Sequence, residues 1–158
     1  MDGKEKTAIK GQWRKGPGLE LFDSMKRKLG AVPILAEDLG VITKDVVELR
    51  KAIGAPGMVV LQFAWGSDAN NVHLPHMHYE NCFVYSGTHD NETTTGWFRD
   101  SAGEQDKKYI QSYLGPVTDK DIAWAFIEAC LKSVAKTAVV PMQVCFASDL
   151  TAAQAAAA

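Results

Sequence analysis

Two short polar stretches carry side chains suited to acid–base chemistry, and each follows an apolar run. The stretch ILAEDLG supplies Glu37 and Asp38. The stretch VYSGTHDN supplies His89, Asp90 and Asn91. Glycosidic cleavage needs one carboxyl group to protonate the leaving oxygen and a second carboxylate to face the anomeric carbon. Carboxylates at two such places therefore indicate carbohydrate chemistry.

Further candidates follow two other apolar runs. Gln62, Phe63 and Trp65 come at the end of MVVLQFA, and Gln143 follows AVVPM. Sugar rings present hydroxyls to polar side chains and an apolar face to aromatic ones. Each candidate also has a structural interpretation, because acidic residues favour helix starts, Asp and Asn favour turns, and Phe and Trp usually lie in cores.

The spacing of apolar residues predicts that strands and helices alternate around these stretches. The predicted strands are 31–36, 58–64, 82–88 and 138–142, and the predicted helices are 17–29, 44–53, 104–114 and 119–136. Apolar strands separated by helices indicate an α/β fold with a parallel sheet, whose chemistry lies at the carboxyl ends of the strands. The loop between the second and third strands is short enough that antiparallel pairing stays open.

Composition argues against several classes of partner. The 158 residues include 17 basic and 19 acidic side chains, which gives no basic patch for nucleic acid and no acidic tail. No apolar run approaches the roughly 18 residues of a membrane span. The amino-terminal segment is too polar for a signal peptide. The widely spaced cysteines Cys82, Cys130 and Cys145 predict buried thiols.

A histidine-rich loop holds a pattern that metals use. His73, His76 and His78 have the spacing H-x2-H-x-H. Zinc sites usually add a fourth ligand on an ordered scaffold. We therefore expect a polar loop over the rim of the site, with no metal.

With these residues in hand, the sequence resembles the 4-alpha-glucanotransferases of the amylomaltase or disproportionating-enzyme family, relatives of the alpha-amylases. The matching stretches are GPGLELF, ILAEDLGVIT, LRKAIGAPGMVVLQFAWGSDANNVHLPH, VYSGTHDNETTTGWF and VVPMQ. The resemblance implies a (β/α)8 barrel (TIM barrel) that transfers alpha-1,4-glucan segments with retention, between maltooligosaccharides or starch-derived glucans, without a cofactor. LRKAIGAPGM leans toward plastid members, so we expect a plastid or cytoplasmic location.

The resemblance also implies roles for the polar stretches. Glu37 matches the general acid/base, and Asp90 matches the carboxylate that holds sugar hydroxyls and stabilises the transition state. If Asp38 is mainly a structural partner, Asp38→Asn should affect turnover less than Glu37→Gln. We expect substrate contacts from the remaining candidates: His89, Asn91, Gln62 and Trp65.

The sequence departs from the family pattern at the nucleophile. The family's nucleophilic aspartate lies in an arginine-x-aspartate motif on an earlier strand, and no such motif precedes Glu37. The resemblance thus implies half of a barrel, strands five to eight, with a partial catalytic domain at 1–150 and a low-complexity tail at 151–158. Smaller departures are VCFASDL after Gln143 and methionine at Met77.

Because the nucleophile is missing, we expect the isolated chain to be inactive. We also expect it to self-associate or to bind the missing half-barrel, since half a barrel exposes sheet edges and apolar faces. Two alternatives stay open: a non-catalytic glucan-binding or assembly module, and a fragment with no independent role.

Overall fold

A computed structural model of the chain describes Gly11 and residues 14–145. The regular elements of this part follow in chain order: α1 Leu19–Leu29, α2 Lys44–Ala52, β1 Gly57–Val60, β2 Cys82–Tyr85, α3 Thr94–Gly96, α4 Glu104–Leu114, α5 Ile122–Leu131, β3 Thr137–Val139 and α6 Met142–Cys145. Short 3-10 turns span Leu61–Phe63 and Pro75–Met77, and a π-helical turn spans Trp97–Ser101. The predicted tail at 151–158 lies outside the described residues.

The three strands form one parallel sheet in the order β1-β2-β3. Gly57 lies opposite Cys82, and Phe83 lies opposite Thr137. Parallel pairing of β1 with β2 is thereby confirmed, and the antiparallel alternative is excluded. The connection between the two strands returns the chain to the same end of the sheet, as parallel pairing requires.

The predicted strand at 31–36 is wrong. Residues 32–39 have no regular secondary structure. A single backbone bond, from the Ala36 amide to the Pro56 carbonyl at 3.0 Å, ties the segment to the chain just ahead of β1. Pro33 lacks an amide hydrogen, and one bond does not make a ladder. The segment is an apolar run that reaches the sheet without joining it.

The helix predictions from capping and spacing are largely confirmed. α1 and α4 end at Gly30 and Gly115, whose φ values of 76° and 94° suit glycine. Just ahead of α5, the Thr118 hydroxyl donates to Asp121 Oδ1 at 2.6 Å. α5 is shorter than predicted because turns occupy the residues between Leu131 and β3.

The core lies between the sheet and helices α4 and α5. Its buried residues include Val59, Trp65, Leu74, Val84, Ile110, Ile122 and Phe126. Cys82 and Cys130 also belong to it and are free thiols, as predicted. Burial raises the pKa of Cys130 to about 12. None of the described helices is long and apolar enough to cross a membrane.

Candidate active site

A cavity of about 670 Å³ opens at the carboxyl end of the sheet. Four parts of the chain line it: the segment around Glu37, the end of β1, the loop after β2 and the stretch after β3. Parallel strands place their carboxyl ends at one edge, which is why these distant stretches meet. The predicted residues that line the cavity are Glu37, Gln62, His89, Asp90, Asn91 and Gln143.

Glu37 reaches the cavity from the irregular segment that precedes α2. Its side chain is exposed, whereas the next side chain, Asp38, is mostly buried. Asp38 Oδ1 accepts a hydrogen bond from the Met58 amide at 2.7 Å. Asp38 Oδ2 lies 2.9 Å from Arg50 Nε. The two neighbouring carboxylates therefore differ, since one faces the cavity and the other faces the protein.

His89 and Asp90 line the cavity from the loop after β2. His89 Nε2 lies 3.2 Å from Asp90 Oδ1, and the two side chains are 88% and 78% exposed. Water screens a pair this exposed, so it adds little to stability. Its polar atoms are available to a ligand that enters the cavity.

Asn91 is used by the turn that presents this pair. Its side-chain Oδ1 accepts hydrogen bonds from the amide and the hydroxyl of Thr88, both at 2.8 Å. The Asn91 amide in turn donates to the Thr88 carbonyl at 3.2 Å. A side chain that closes its own turn in this way fixes the loop backbone. Asn91 therefore holds in place the two residues before it.

Gln62 supports the same loop from beneath. Its side-chain amide donates to the Glu92 carbonyl at 2.9 Å. Gly87 passes so close that a Cβ there would lie 2.7 Å from Gln62 Nε2. Gln62 lines the cavity, and its described hydrogen bond is made to the protein rather than across the opening.

Trp65 is a correction to the expected site. Its side chain is 2% exposed and belongs to the core. The indole packs against the rings of Phe126, Tyr113 and Tyr109, with centroids 5.7 to 6.0 Å away. The chain turns at Leu61–Phe63 directly after β1, and that turn carries Trp65 inward. Trp65 is therefore no aromatic platform for a sugar in this structure.

Tyr85 lines the cavity and was missed by the sequence reasoning. It ends β2, where side chains alternate between buried and half-buried. Burial raises the pKa of Tyr85, and the negative charge of Glu37 raises it further. The phenol thus stays protonated near the predicted acid/base. The alternation in CFVY, which sends Val84 into the core and Tyr85 to the other face, was the available signal.

The histidine loop makes hydrogen bonds within the protein. His73 Nδ1 accepts from the Val60 amide at 3.1 Å, His76 Nδ1 lies 2.8 Å from the Tyr113 hydroxyl, and His78 Nδ1 lies 2.7 Å from the Ser133 hydroxyl. Burial lowers the pKa of both His73 and His78. Within the described ranges, no three His, Cys, Asp or Glu side chains are grouped to hold a metal ion.

Comparison with known proteins gives a consistent family. A family model described as 4-alpha-glucanotransferase matches residues 1–154. The chain is 54% identical to the 4-alpha-glucanotransferase DPE1, chloroplastic/amyloplastic, of Arabidopsis thaliana over 143 residues. It is 52% identical to the chloroplastic/amyloplastic 4-alpha-glucanotransferase of Solanum tuberosum. Each of these matches covers 90% of this chain and 25% of the relative.

A solved structure gives the same answer for the fold. The amylomaltase from Streptococcus agalactiae in complex with acarbose matches with a TM-score of 0.81 and 36% sequence identity. The match covers 90% of this chain and 29% of that chain. The chain therefore spans between a quarter and a third of the length of the relatives it matches.

Proposed function

The chain belongs to the 4-alpha-glucanotransferase family, and we propose that it forms part of an enzyme that transfers alpha-1,4-glucan segments between maltooligosaccharides or starch-derived glucans. The observation that carries this proposal is that Glu37 and Asp90, from distant parts of the chain, line one cavity. Glycosidic bond exchange requires an acid/base carboxyl group, a role proposed here for Glu37, and a carboxylate nucleophile, which the proposal places outside this chain.

The proposed mechanism is a double displacement that retains the anomeric configuration. An aspartate outside this chain attacks the anomeric carbon while Glu37 gives its proton to the leaving glycosidic oxygen. Glu37 then takes the proton from the 4-hydroxyl of an acceptor glucan, whose oxygen displaces the aspartate. In retaining enzymes the nucleophile and the acid/base lie about 5 Å apart. No metal or other cofactor takes part in these steps.

Of the other predicted site residues, two bind the sugar and two position the residues that bind it. Asp90 and His89 bind hydroxyls of the ring under attack, and Asp90 stabilises its developing positive charge. Gln62 and Asn91 support this pair through the loop contacts described above. Tyr85, with its protonated hydroxyl, is a further donor beside Glu37.

We also propose that residues 1–150 form part of a catalytic barrel, corresponding to its strands five to eight, and that 151–158 form a tail. Exposed apolar side chains support the proposal that a further protein segment packs against this surface. α1 buries no residue, and Leu29 and Val41 are 69% and 96% exposed. The rest of the barrel, or a second copy of the chain, would cover such surfaces. The proposed location is a plastid or the cytoplasm, and the plant relatives' names support the first.

The proposal is tested by Glu37→Gln in a complete enzyme that carries this segment. The amide keeps the shape and loses the proton, so turnover of maltotriose should fall by about 10²–10⁴-fold. Glu92→Gln is the matched control, because Glu92 lines the same cavity and has no assigned step. Near-normal transfer by Glu37→Gln would refute the proposal.

A second candidate function is a glucan-binding or assembly module without turnover. The absence of an arginine-x-aspartate motif before Glu37 favours it for the isolated chain. The isolated chain should release no glucose from maltotriose and should elute above 17.2 kDa in gel filtration. A monomer that disproportionates maltotriose would exclude both this candidate and a nucleophile outside the chain.

A further inference from the structure

We propose that Asp38 and Arg50 are positioning residues that aim Glu37 into the cavity and balance the charge beside it. The inference rests on the proposed function, because it assigns a role relative to the proposed acid/base. Neither residue lines the cavity. We call the pair the Asp38–Arg50 clamp.

Glu37 needs a clamp because its segment belongs to no regular element. Residues 32–39 lack helix and strand, so no ladder of backbone bonds fixes them. The described backbone tie is the bond from Ala36 to Pro56. Leu35, Glu37 and Leu39 line the cavity and the residues between them do not, so side chains alternate along this segment as they do in extended chain. Fixing Asp38 toward the protein therefore turns Glu37 toward the cavity.

Both oxygens of the Asp38 carboxylate are engaged. Oδ1 accepts from the Met58 amide at 2.7 Å, and Oδ2 lies 2.9 Å from Arg50 Nε. The side chains of Asp38 and Arg50 are only 12% and 9% exposed. The Met58 contact is a hydrogen bond, whereas the Arg50 contact is an ion pair, because Arg50 Nε is not aligned for a hydrogen bond. Opposite charges attract more strongly when they are shielded from water. Rotation of Asp38 would break both contacts.

Arg50 is itself fixed from three directions. Its Nη1 donates to the Ala55 carbonyl at 3.3 Å, and its guanidinium lies 5.1 Å from the centre of the Tyr79 ring. It belongs to the last turns of α2, so the helix backbone holds its stem. Because α2 and Tyr79 fix the guanidinium, the guanidinium in turn fixes the Asp38 carboxylate.

Gly57 leaves room for the clamp. A Cβ at Gly57 would lie 2.6 and 2.8 Å from the two Asp38 carboxylate oxygens and would also collide with the Tyr79 hydroxyl. Gly57 is the first residue of β1 and pairs with Cys82 in the sheet. The clamp is therefore built directly against the first residue of the sheet.

The clamp also sets the charge near Glu37. Asp38 and Arg50 cancel each other, so removal of one partner leaves a buried charge of known sign beside Glu37. When Asp38 loses its charge, the positive charge of Arg50 favours deprotonated Glu37. When Arg50 is removed, the negative charge of Asp38 favours protonated Glu37. The titratable groups that share the cavity with Glu37 stay in place in such variants: Tyr85, His89, Asp90 and Glu92.

The test measures kcat against pH for maltotriose disproportionation in a complete enzyme carrying this segment. Asp38→Asn should move the alkaline limb of the profile to lower pH, and Arg50→Met should move it to higher pH. The double variant should restore the limb to its wild-type position. Lys51→Met and Asp45→Asn are matched controls on α2, both at exposed positions, and should leave the profile unmoved.

A second set of variants tests the orientation of Glu37 rather than the charge beside it. Asp38→Ala removes both contacts and should lower kcat by up to about 100-fold with KM little changed, because small misplacements of a catalytic group are costly. Arg50→Lys keeps the charge without the planar fork, so it should lower kcat while the alkaline limb stays in place. This variant buries no unpaired charge and keeps the test open if Arg50→Met does not fold.

The outcomes separate the clamp from the proposed function. Suppose that Glu37→Gln abolishes transfer while both single variants keep the wild-type profile and kcat. The clamp is then overturned and the proposed function stands. Shifts of both single variants in the same direction would also overturn it, since a general loss of structure predicts no opposite signs. A Glu37→Gln enzyme that retains full turnover would overturn the proposed function and the clamp together.

Discussion

The two sides of the cavity hold their carboxylates by opposite means. On the Glu37 side, the anchor is a buried ion pair between Asp38 and Arg50, which reaches across the fold to α2 and β1. On the Asp90 side, the anchor is a turn that closes on itself between Thr88 and Asn91. The first anchor therefore depends on residues far apart in the chain, whereas the second is a local turn within SGTHDN that Gln62 also contacts.

This difference predicts where the molecule is vulnerable. A buried charge that loses its partner is left uncompensated. In a neutral turn, a donor that loses its acceptor can form a hydrogen bond to water instead. The Glu37 side should therefore be the more sensitive of the two to single substitutions. The predictions below test that ranking in the 158-residue chain, with intrinsic tryptophan fluorescence as the probe of unfolding.

The largest effect is expected at Arg50. Arg50→Met leaves the Asp38 carboxylate buried and unpaired, which should lower the free energy of unfolding by about 3–5 kcal/mol. Urea denaturation measures this, with Lys51→Met as the exposed control on the same helix. Equal stability of the two variants would contradict the importance of the ion pair.

The next effect compares two glycines. Gly57→Ala pushes a methyl group against the buried Asp38 carboxylate and Tyr79, so it should cost about 1–3 kcal/mol. Gly87→Ala meets mainly the side-chain amide of Gln62, which is a movable end. It should therefore cost less than Gly57→Ala by the same urea measurement. The reverse order would break the comparison between the two sides.

A smaller effect is expected from the turn itself. Asn91→Ala removes the acceptor for the Thr88 amide and hydroxyl, with an expected cost of about 1–2 kcal/mol. Asn70→Ala is the control, since the described bond of Asn70 uses its backbone amide. If Asn91→Ala destabilised the chain as much as Arg50→Met, the two sides of the cavity would not differ in their sensitivity to substitution.

The smallest effect is a pH dependence from the loop over the end of β1. His73 Nδ1 accepts from the Val60 amide, so the folded state needs neutral His73, and burial lowers its pKa. Below the ordinary histidine pKa of about 6.5, the unfolded chain takes up the proton first, so stability falls as pH drops until the folded pKa is reached. The slope from this group is at most about 1.4 kcal/mol per pH unit.

Urea denaturation between pH 5 and pH 7.5 tests this dependence. His73→Gln should reduce the slope, while His76→Gln should leave most of it. An unchanged slope in His73→Gln would assign the pH dependence to other groups. The first of these to test is His78, whose pKa is also lowered.

Local patterns in the sequence determined several features of this protein. Apolar spacing predicted α1 and α4, and the run from Cys82 predicted β2, because periodicity acts within a few residues. The same local chemistry marked Glu37, His89 and Asp90 at the ends of apolar runs, and the structure brings all three to one cavity. Their catalytic roles remain the proposal stated above.

The tertiary structure alone decided the rest. An apolar run becomes a strand only where a neighbour supplies a ladder, and 31–36 lacks one here. Trp65 has the chemistry of a sugar platform, but a turn after β1 carries it into the core beside Phe126. Asp38 next to Glu37 looks like a second candidate acid, and only the distant Arg50 makes it an anchor. Pairing and burial join residues far apart in the chain, and no local pattern encodes which partners they meet.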